Sequence, residues 1–125
     1  MDFAKRVYSY AAIYGVLVVA PLYGLEFLIV RLFGPLTQPL WYYGFLGVAL
    51  MFQFIYGLIG RDPARYRPMM PLAILAKLSF GAAALALLAT GRIGLLMTGI
   101  AMPDLIWVVF FWLAYRATPP AMIEA

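Results

Sequence analysis

Four long apolar segments, separated by short connections with charged and turn-forming residues, set the pattern along this chain. Each segment has about 20 residues or more, the length that an α-helix needs to cross the hydrocarbon core of a bilayer. Because the connections are short, we expect sequential helices to run antiparallel. The pattern predicts an all-α, polytopic membrane protein, a single domain over residues 1–125 that folds as an antiparallel bundle of four transmembrane helices. The predicted spans are residues 7–30, 41–60, 71–90 and 94–115.

The composition supports a membrane location. Hydrophobic residues make up 66% of the chain and charged residues only 11%, whereas roughly 25% of a soluble domain is charged. The first apolar segment follows Lys5 and Arg6, but it is longer than the ~7–15 apolar residues of a signal peptide and lacks a small-residue cleavage site. We therefore interpret it as a retained span in contact with the lipid bilayer.

The basic residues outside the apolar segments predict the orientation of the bundle. With four spans, the N-terminus, the middle connection and the C-terminus lie on one side of the membrane. That side holds most of the basic residues, so the positive-inside rule places both termini in the cytoplasm. The residues on that side are Lys5, Arg6, Arg61, Arg65, Arg67 and Arg116, and those on the other side are Arg31 and Arg92.

The middle connection, RDPARYRP, is predicted to begin a helix. Asp62 suits the N-cap, Pro63 the first helical position and Pro68 the stop. Its three arginines, Arg61, Arg65 and Arg67, are predicted to lie among anionic lipid headgroups. The alternative is that they dock a partner or an anionic ligand.

Each predicted span contains one notable polar residue, and these are the candidate functional residues: Glu26, Gln53, Lys77 and Asp104. Asp104 interrupts the apolar run GIAMPDLIWVVFFW near the middle of the membrane, directly after Pro103. An ionisable group at that depth is costly and is often functional. Two interpretations stay open: a structural ion pair or a protonated aspartic acid, or a role in ligand contact or proton movement.

The predicted depths indicate which of these residues can meet. Lys77 is expected to reach Asp104 on the adjacent helix, with Gln53 able to hydrogen-bond the pair. Glu26 is better placed for the arginines at the opposite boundary, Arg92 or Arg31.

The residue types that are missing limit the chemistry. The chain has no Cys and no His, so thiolate catalysis and the commonest metal ligands are excluded. No nucleotide-binding, metalloprotease or serine-hydrolase motif is present. We therefore expect no enzymatic activity, no metal and no cofactor. The net charge of +4 is too small and too scattered to predict nucleic-acid binding.

Two runs, QPLWYYGFLGVALMFQFIYGLIGRDPARYRPMMPLAILAKLSFG and GRIGLL…PDLIWVVFFWLAYRAT, lie within residues 38–118. They resemble a group of small, uncharacterised four-helix integral membrane proteins of bacteria. The chain departs from the group's pattern at Gln38 and Leu40, where the group has His and Glu, and at Ala76, where it has Glu. The resemblance implies a bacterial inner-membrane location and no particular activity. The matching elements are residues 42–45, 62–68, 77, 104 and 111–115.

Three functional hypotheses follow. The first is a non-enzymatic accessory module that binds an apolar or lipid-like ligand between its helices. The second is a small proton- or cation-coupled transporter, or a subunit of one, that uses Asp104 and Glu26 as protonatable groups. The third is a structural subunit of a larger membrane complex, whose partner is another membrane protein or a second copy of this chain.

Overall fold

The computed structural model describes residues 2–120, and this part of the chain contains helices and no β-strand. A 3₁₀-helix continues the first long helix, and another precedes α4. The elements are α1 (Asp2–Val19), a 3₁₀-helix (Ala20–Gly24), α2 (Glu26–Phe33), α3 (Pro39–Arg61), a second 3₁₀-helix (Arg67–Met69), α4 (Met70–Ala89) and α5 (Leu95–Ala117).

Four helical segments are long and apolar enough to span a membrane, which confirms that part of the prediction. Each has 23 residues, or about 35 Å at a rise of 1.5 Å per residue. This length exceeds the ~30 Å hydrocarbon core of a bilayer. The segments are Asp2–Gly24, Pro39–Arg61, Arg67–Ala89 and Leu95–Ala117.

The predicted first span, residues 7–30, is not one continuous helix in the structure. The helix begins at Asp2, turns into a 3₁₀-helix at Ala20 and stops before Leu25, which has φ −112° and ψ 21°. Pro21 lacks an N–H group and cannot continue the α-helical bonding pattern. The break leaves Glu26 as the first residue of α2, outside the first candidate span.

The middle connection forms a single turn and not a helix of its own, but Asp62 caps that turn as predicted, and its carbonyl oxygen accepts a hydrogen bond from the Tyr66 N–H at 3.1 Å. Asp62 also ends α3, and its Oδ1 accepts a hydrogen bond from the Arg65 N–H at 3.3 Å. The residue before a proline is pushed out of the α-helical region, which ends the preceding helix and is also the backbone conformation of an N-cap residue. Asp62 precedes Pro63 and has φ −150° and ψ 77°. The next long helix, α4, begins only at Met70.

The four long helices pack as two close pairs. Helix α1 packs mainly against α3, and α4 packs mainly against α5; α1 also contacts α5, whereas α3 and α4 barely touch. Small residues allow each pair to approach closely. The backbone N of Ser9 would lie 2.9 Å from a Cβ at Gly60, and the Leu105 side chain fills the space where a Cβ at Gly81 would lie.

The buried core lies at one end of the bundle, where α1 and α4 begin and α3 and α5 end; we call this the core end. Aromatic rings from three helices join there, with Tyr8 stacked on Phe111 at 4.4 Å between ring centroids and Tyr56 edge-on to Phe111 at 5.1 Å. The core residues are Ala4, Val7, Tyr8, Ala11, Tyr56, Ile59, Met70, Ala73, Phe111 and Ala114.

Candidate functional site

An ion pair joins α4 and α5 next to the core. The Lys77 Nζ lies 3.1 Å from the Asp104 Oδ1, and the two side chains are 7% and 24% exposed. This is the contact that the sequence predicts between these residues. Within residues 2–120 no other salt bridge forms. These two charged side chains, in the interior of α4 and α5, thus neutralise each other, which lowers the cost of holding them there.

An aromatic ring covers the ammonium group on its other side. The Lys77 Nζ lies 5.4 Å from the centre of the Tyr56 ring, a distance at which a cation is attracted to the ring face. Two of the three ammonium hydrogens are left for other acceptors. Among the described residues, Asp104 Oδ2 receives no hydrogen bond, and its side chain is not fully buried.

A groove of about 430 Å³ opens between α3 and α4, with the ion pair in its wall. This volume is within the ~300–1,000 Å³ of typical ligand pockets. Tyr56 and the ion pair lie at the core end of the groove. At its other end Phe45 stacks on Phe80, with ring centroids 5.5 Å apart. The lining residues are Phe45, Val48, Ala49, Phe52, Gln53, Tyr56, Ala76, Lys77, Ser79, Phe80, Ala83 and Asp104.

Gln53 borders the groove, but the expectation that it hydrogen-bonds the ion pair was wrong. Its Nε2 donates to the Ala49 carbonyl oxygen one turn earlier, at 2.8 Å. Its Oε1 is buried, has no partner among the described residues and lies against Gly15 of α1. Because Gly15 has no side chain, the carboxamide can turn toward α1 and away from Lys77. Gln53 therefore belongs to the α1–α3 contact.

Glu26 also has a different partner from the arginines that the sequence suggests. Its Oε2 accepts a hydrogen bond from the Tyr43 hydroxyl at 3.0 Å, and in the described part of the chain it forms no ion pair with Arg31 or Arg92. The break after Pro21 is the reason, because it begins a new helix at Glu26.

Glu26 and Asp104 lie far apart along the bundle. Tyr43, the partner of Glu26, is 13 residues before Tyr56, which covers the ion pair. On one continuous helix that separation is about 20 Å. The structure therefore does not bring the two carboxylates together.

The three arginines of the middle connection have different surroundings. The Arg67 Nε donates to the carbonyl oxygen of the buried Thr118 at 2.6 Å, and its guanidinium lies 4.1 Å from the centre of the Tyr115 ring. Arg67 therefore ties the connection to the end of α5. Arg61 and Arg65 are exposed, and their contact with lipid headgroups stays a prediction.

Sequence reasoning missed the aromatic side chains of the groove. Phe45, Phe52 and Tyr56 lie seven and then four residues apart on α3, a spacing that places them on one helix face. This spacing can be recognised in the sequence. In an apolar helix, however, a face that lines a groove has the same types of residue as a face that contacts lipid. The two kinds of face are distinguished only by the separation of α3 from α4, which depends on the packing of the whole bundle.

Comparisons with known protein families, with curated proteins and with solved structures find no match to this chain. Within residues 2–120, no group of three or more His, Cys, Asp or Glu side chains converges to form a metal site. The geometry of the groove therefore carries the functional argument.

Proposed function

We propose that this chain is a multi-pass protein of the bacterial inner membrane that binds a lipid-like molecule in the groove between α3 and α4. In this proposal it is an accessory, non-enzymatic module. The observation that carries the proposal is the groove itself, whose lining is mostly aromatic and small apolar side chains and includes one pair of charged side chains, Lys77 and Asp104.

The proposed topology is an antiparallel bundle with both termini in the cytoplasm. The bond between Arg67 and Thr118 supports it, because it holds the middle connection beside the end of α5. Most of the exposed basic residues lie near this core end, and the positive-inside rule then makes it the cytoplasmic one. The sequence resemblance supports a bacterial inner membrane. The exposed basic residues near the core end are Lys5, Arg6, Arg61, Arg65 and Arg116.

The lining of the groove supports binding in preference to catalysis. Ligand pockets are mostly apolar, with a few polar groups that fix the orientation of the ligand. Ser79, the serine in the lining, makes no hydrogen bond to a base among the described residues. A nucleophilic hydroxyl needs such a base.

A groove-filling substitution tests the proposal. Ala83 lines the groove, whereas its neighbour Ala82 is exposed and does not. We expect Ala83→Trp to remove a lipid that co-purifies with the wild-type protein in mild detergent, measured by native mass spectrometry. Ala82→Trp, the matched control, should retain that lipid. Both variants are compared by circular dichroism and thermal unfolding. A folded Ala83→Trp variant with the lipid still bound would contradict the proposal.

A further inference from the structure

We propose that the ligand is an uncharged lipid with a hydroxyl group, which binds at Asp104 and Lys77 and extends its chain toward Phe45 and Phe80. This inference rests on the proposed function and adds the chemical class and the orientation of the ligand. The inference is based on the geometry at the core end of the groove, where the Asp104 carboxylate and the Lys77 ammonium group border the same space.

The hydrogen-bonding capacity of the ion pair favours a hydroxyl. Asp104 Oδ2 has no donor among the described residues, and its side chain is the more exposed of the pair, 24% against 7%. Lys77 has N–H groups beyond the one directed at Asp104 Oδ1. A hydroxyl is a small uncharged group that can donate to the carboxylate and accept from the ammonium at once. A ketone or an ester can only accept, and would leave Oδ2 without a donor.

The charge of the groove favours an uncharged ligand. The charges of Lys77 and Asp104 cancel, and the other groups in the lining are neutral. A phosphate would add a net negative charge among phenylalanine and alanine side chains. Burying a charge without a partner is strongly unfavourable. An anionic headgroup that accepted a hydrogen bond from Lys77 would lie beside the Asp104 carboxylate, and the two negative charges would repel each other.

The depth of the ion pair favours a small polar group. Lys77 lies seven residues into α4, which begins at Met70, so its Cα is about 10 Å inside the helix end. Phospholipid headgroups lie at the interface, whereas a single hydroxyl on a long chain can enter the hydrocarbon region. From Tyr56 to Phe45 the groove wall spans 11 residues of α3, or about 16 Å, which gives an apolar chain room to extend.

Three photoreactive probes test the inference on the full chain in phosphatidylcholine nanodiscs. They are a long-chain alcohol, the O-methyl ether of the same alcohol, and a phosphatidylglycerol. We expect the alcohol to label the groove-lining peptides of α3 and α4 saturably. The ether can accept but cannot donate, so we expect it to bind about ten- to a hundredfold more weakly. The phosphatidylglycerol should not compete with the alcohol.

Variants assign the difference to the ion pair. In the double variant Lys77→Met with Asp104→Leu, we expect the alcohol and the ether to label equally. Replacing a buried ion pair by apolar residues is often tolerated, so the variant is expected to fold. Lys5→Met removes a charge outside the groove and should leave the preference for the alcohol unchanged.

The outcomes separate this inference from the proposed function. Saturable labelling of the groove by phosphatidylglycerol, or equal labelling by the alcohol and the ether in the wild type, would overturn the inference and leave lipid binding intact. The absence of saturable groove labelling by all three probes, together with no effect of Ala83→Trp on co-purified lipid, would overturn both.

Discussion

Removing one member of the ion pair should destabilise the protein more than removing both. In Asp104→Leu, the Lys77 ammonium remains 7% exposed and has no carboxylate partner. A lone lysine at the centre of a membrane helix costs about 2.5–3.5 kcal/mol on insertion scales, and the nearby Tyr56 ring recovers about 0.5–2 kcal/mol. The expected loss in the free energy of unfolding is therefore about 0.5–3 kcal/mol.

The other single variant, Lys77→Met, should destabilise the protein less than Asp104→Leu. In Lys77→Met, the Asp104 carboxyl group is left alone, but 24% of its side chain is exposed, so it is less desolvated than the Lys77 ammonium. We expect a loss of about 1–2 kcal/mol, below the insertion cost of a fixed charge. The double variant should stay within about 1 kcal/mol of wild type, because apolar replacement of a buried pair is often neutral.

A double-mutant cycle measures this coupling. Unfolding in mixed detergent micelles, followed by circular dichroism, gives the free energy of each variant, and contacting residues in such cycles couple by about 0.5–3 kcal/mol. We expect the double variant to be more stable than Asp104→Leu. Lys5→Met, which changes an exposed charge, is the control and should shift the free energy by less than about 0.5 kcal/mol. Additive losses in the double variant would refute the argument that the two charges stabilise each other.

Two further contacts give testable predictions. Gly15→Ala places a methyl group where the Gln53 carboxamide lies, so we expect a loss of about 1–3 kcal/mol on thermal or detergent unfolding. A second substitution, Gln53→Ala, should restore part of that loss; no restoration would mean that the clash is not with Gln53. Arg67→Ala removes the bond to the Thr118 carbonyl oxygen and should cost about 1–3 kcal/mol, whereas the exposed Arg65→Ala should change stability by less than about 0.5 kcal/mol. Equal effects of the two arginine variants would contradict the tethering role of Arg67.

The long helices and the ion pair were the most predictable features. Long apolar segments directly predict spanning helices. The depths that pair Lys77 with Asp104 are obtained by counting residues at the helical rise, which requires only that both helices are regular. Both helices are regular at these positions, even though Pro103 precedes Asp104. The pair could therefore be anticipated from sequence spacing.

The errors occurred at a helix break and at a close contact between two helices. Pro21 broke the first span and gave Glu26 a tyrosine partner in place of an arginine. Gly15 opened a space on α1 that the Gln53 carboxamide occupies. In both cases the residue responsible was visible in the sequence. The effect of each residue on a side chain elsewhere in the chain depended on how the helices pack. The helical periodicity of the sequence does not give that packing.

The position of the groove follows from the way the helices pair. Consecutive helices α3 and α4 would be expected to pack closely, but the turn with Pro63 and Pro68 separates them. Helix α3 packs mainly against α1, and α4 packs mainly against α5. The aromatic core joins the two pairs only at the core end. Beyond it, the Phe45–Phe80 stack links α3 and α4, with the ion pair between these two contacts. Under the proposed function, a ligand would enter the groove between these two contacts, where the ion pair lies in its wall.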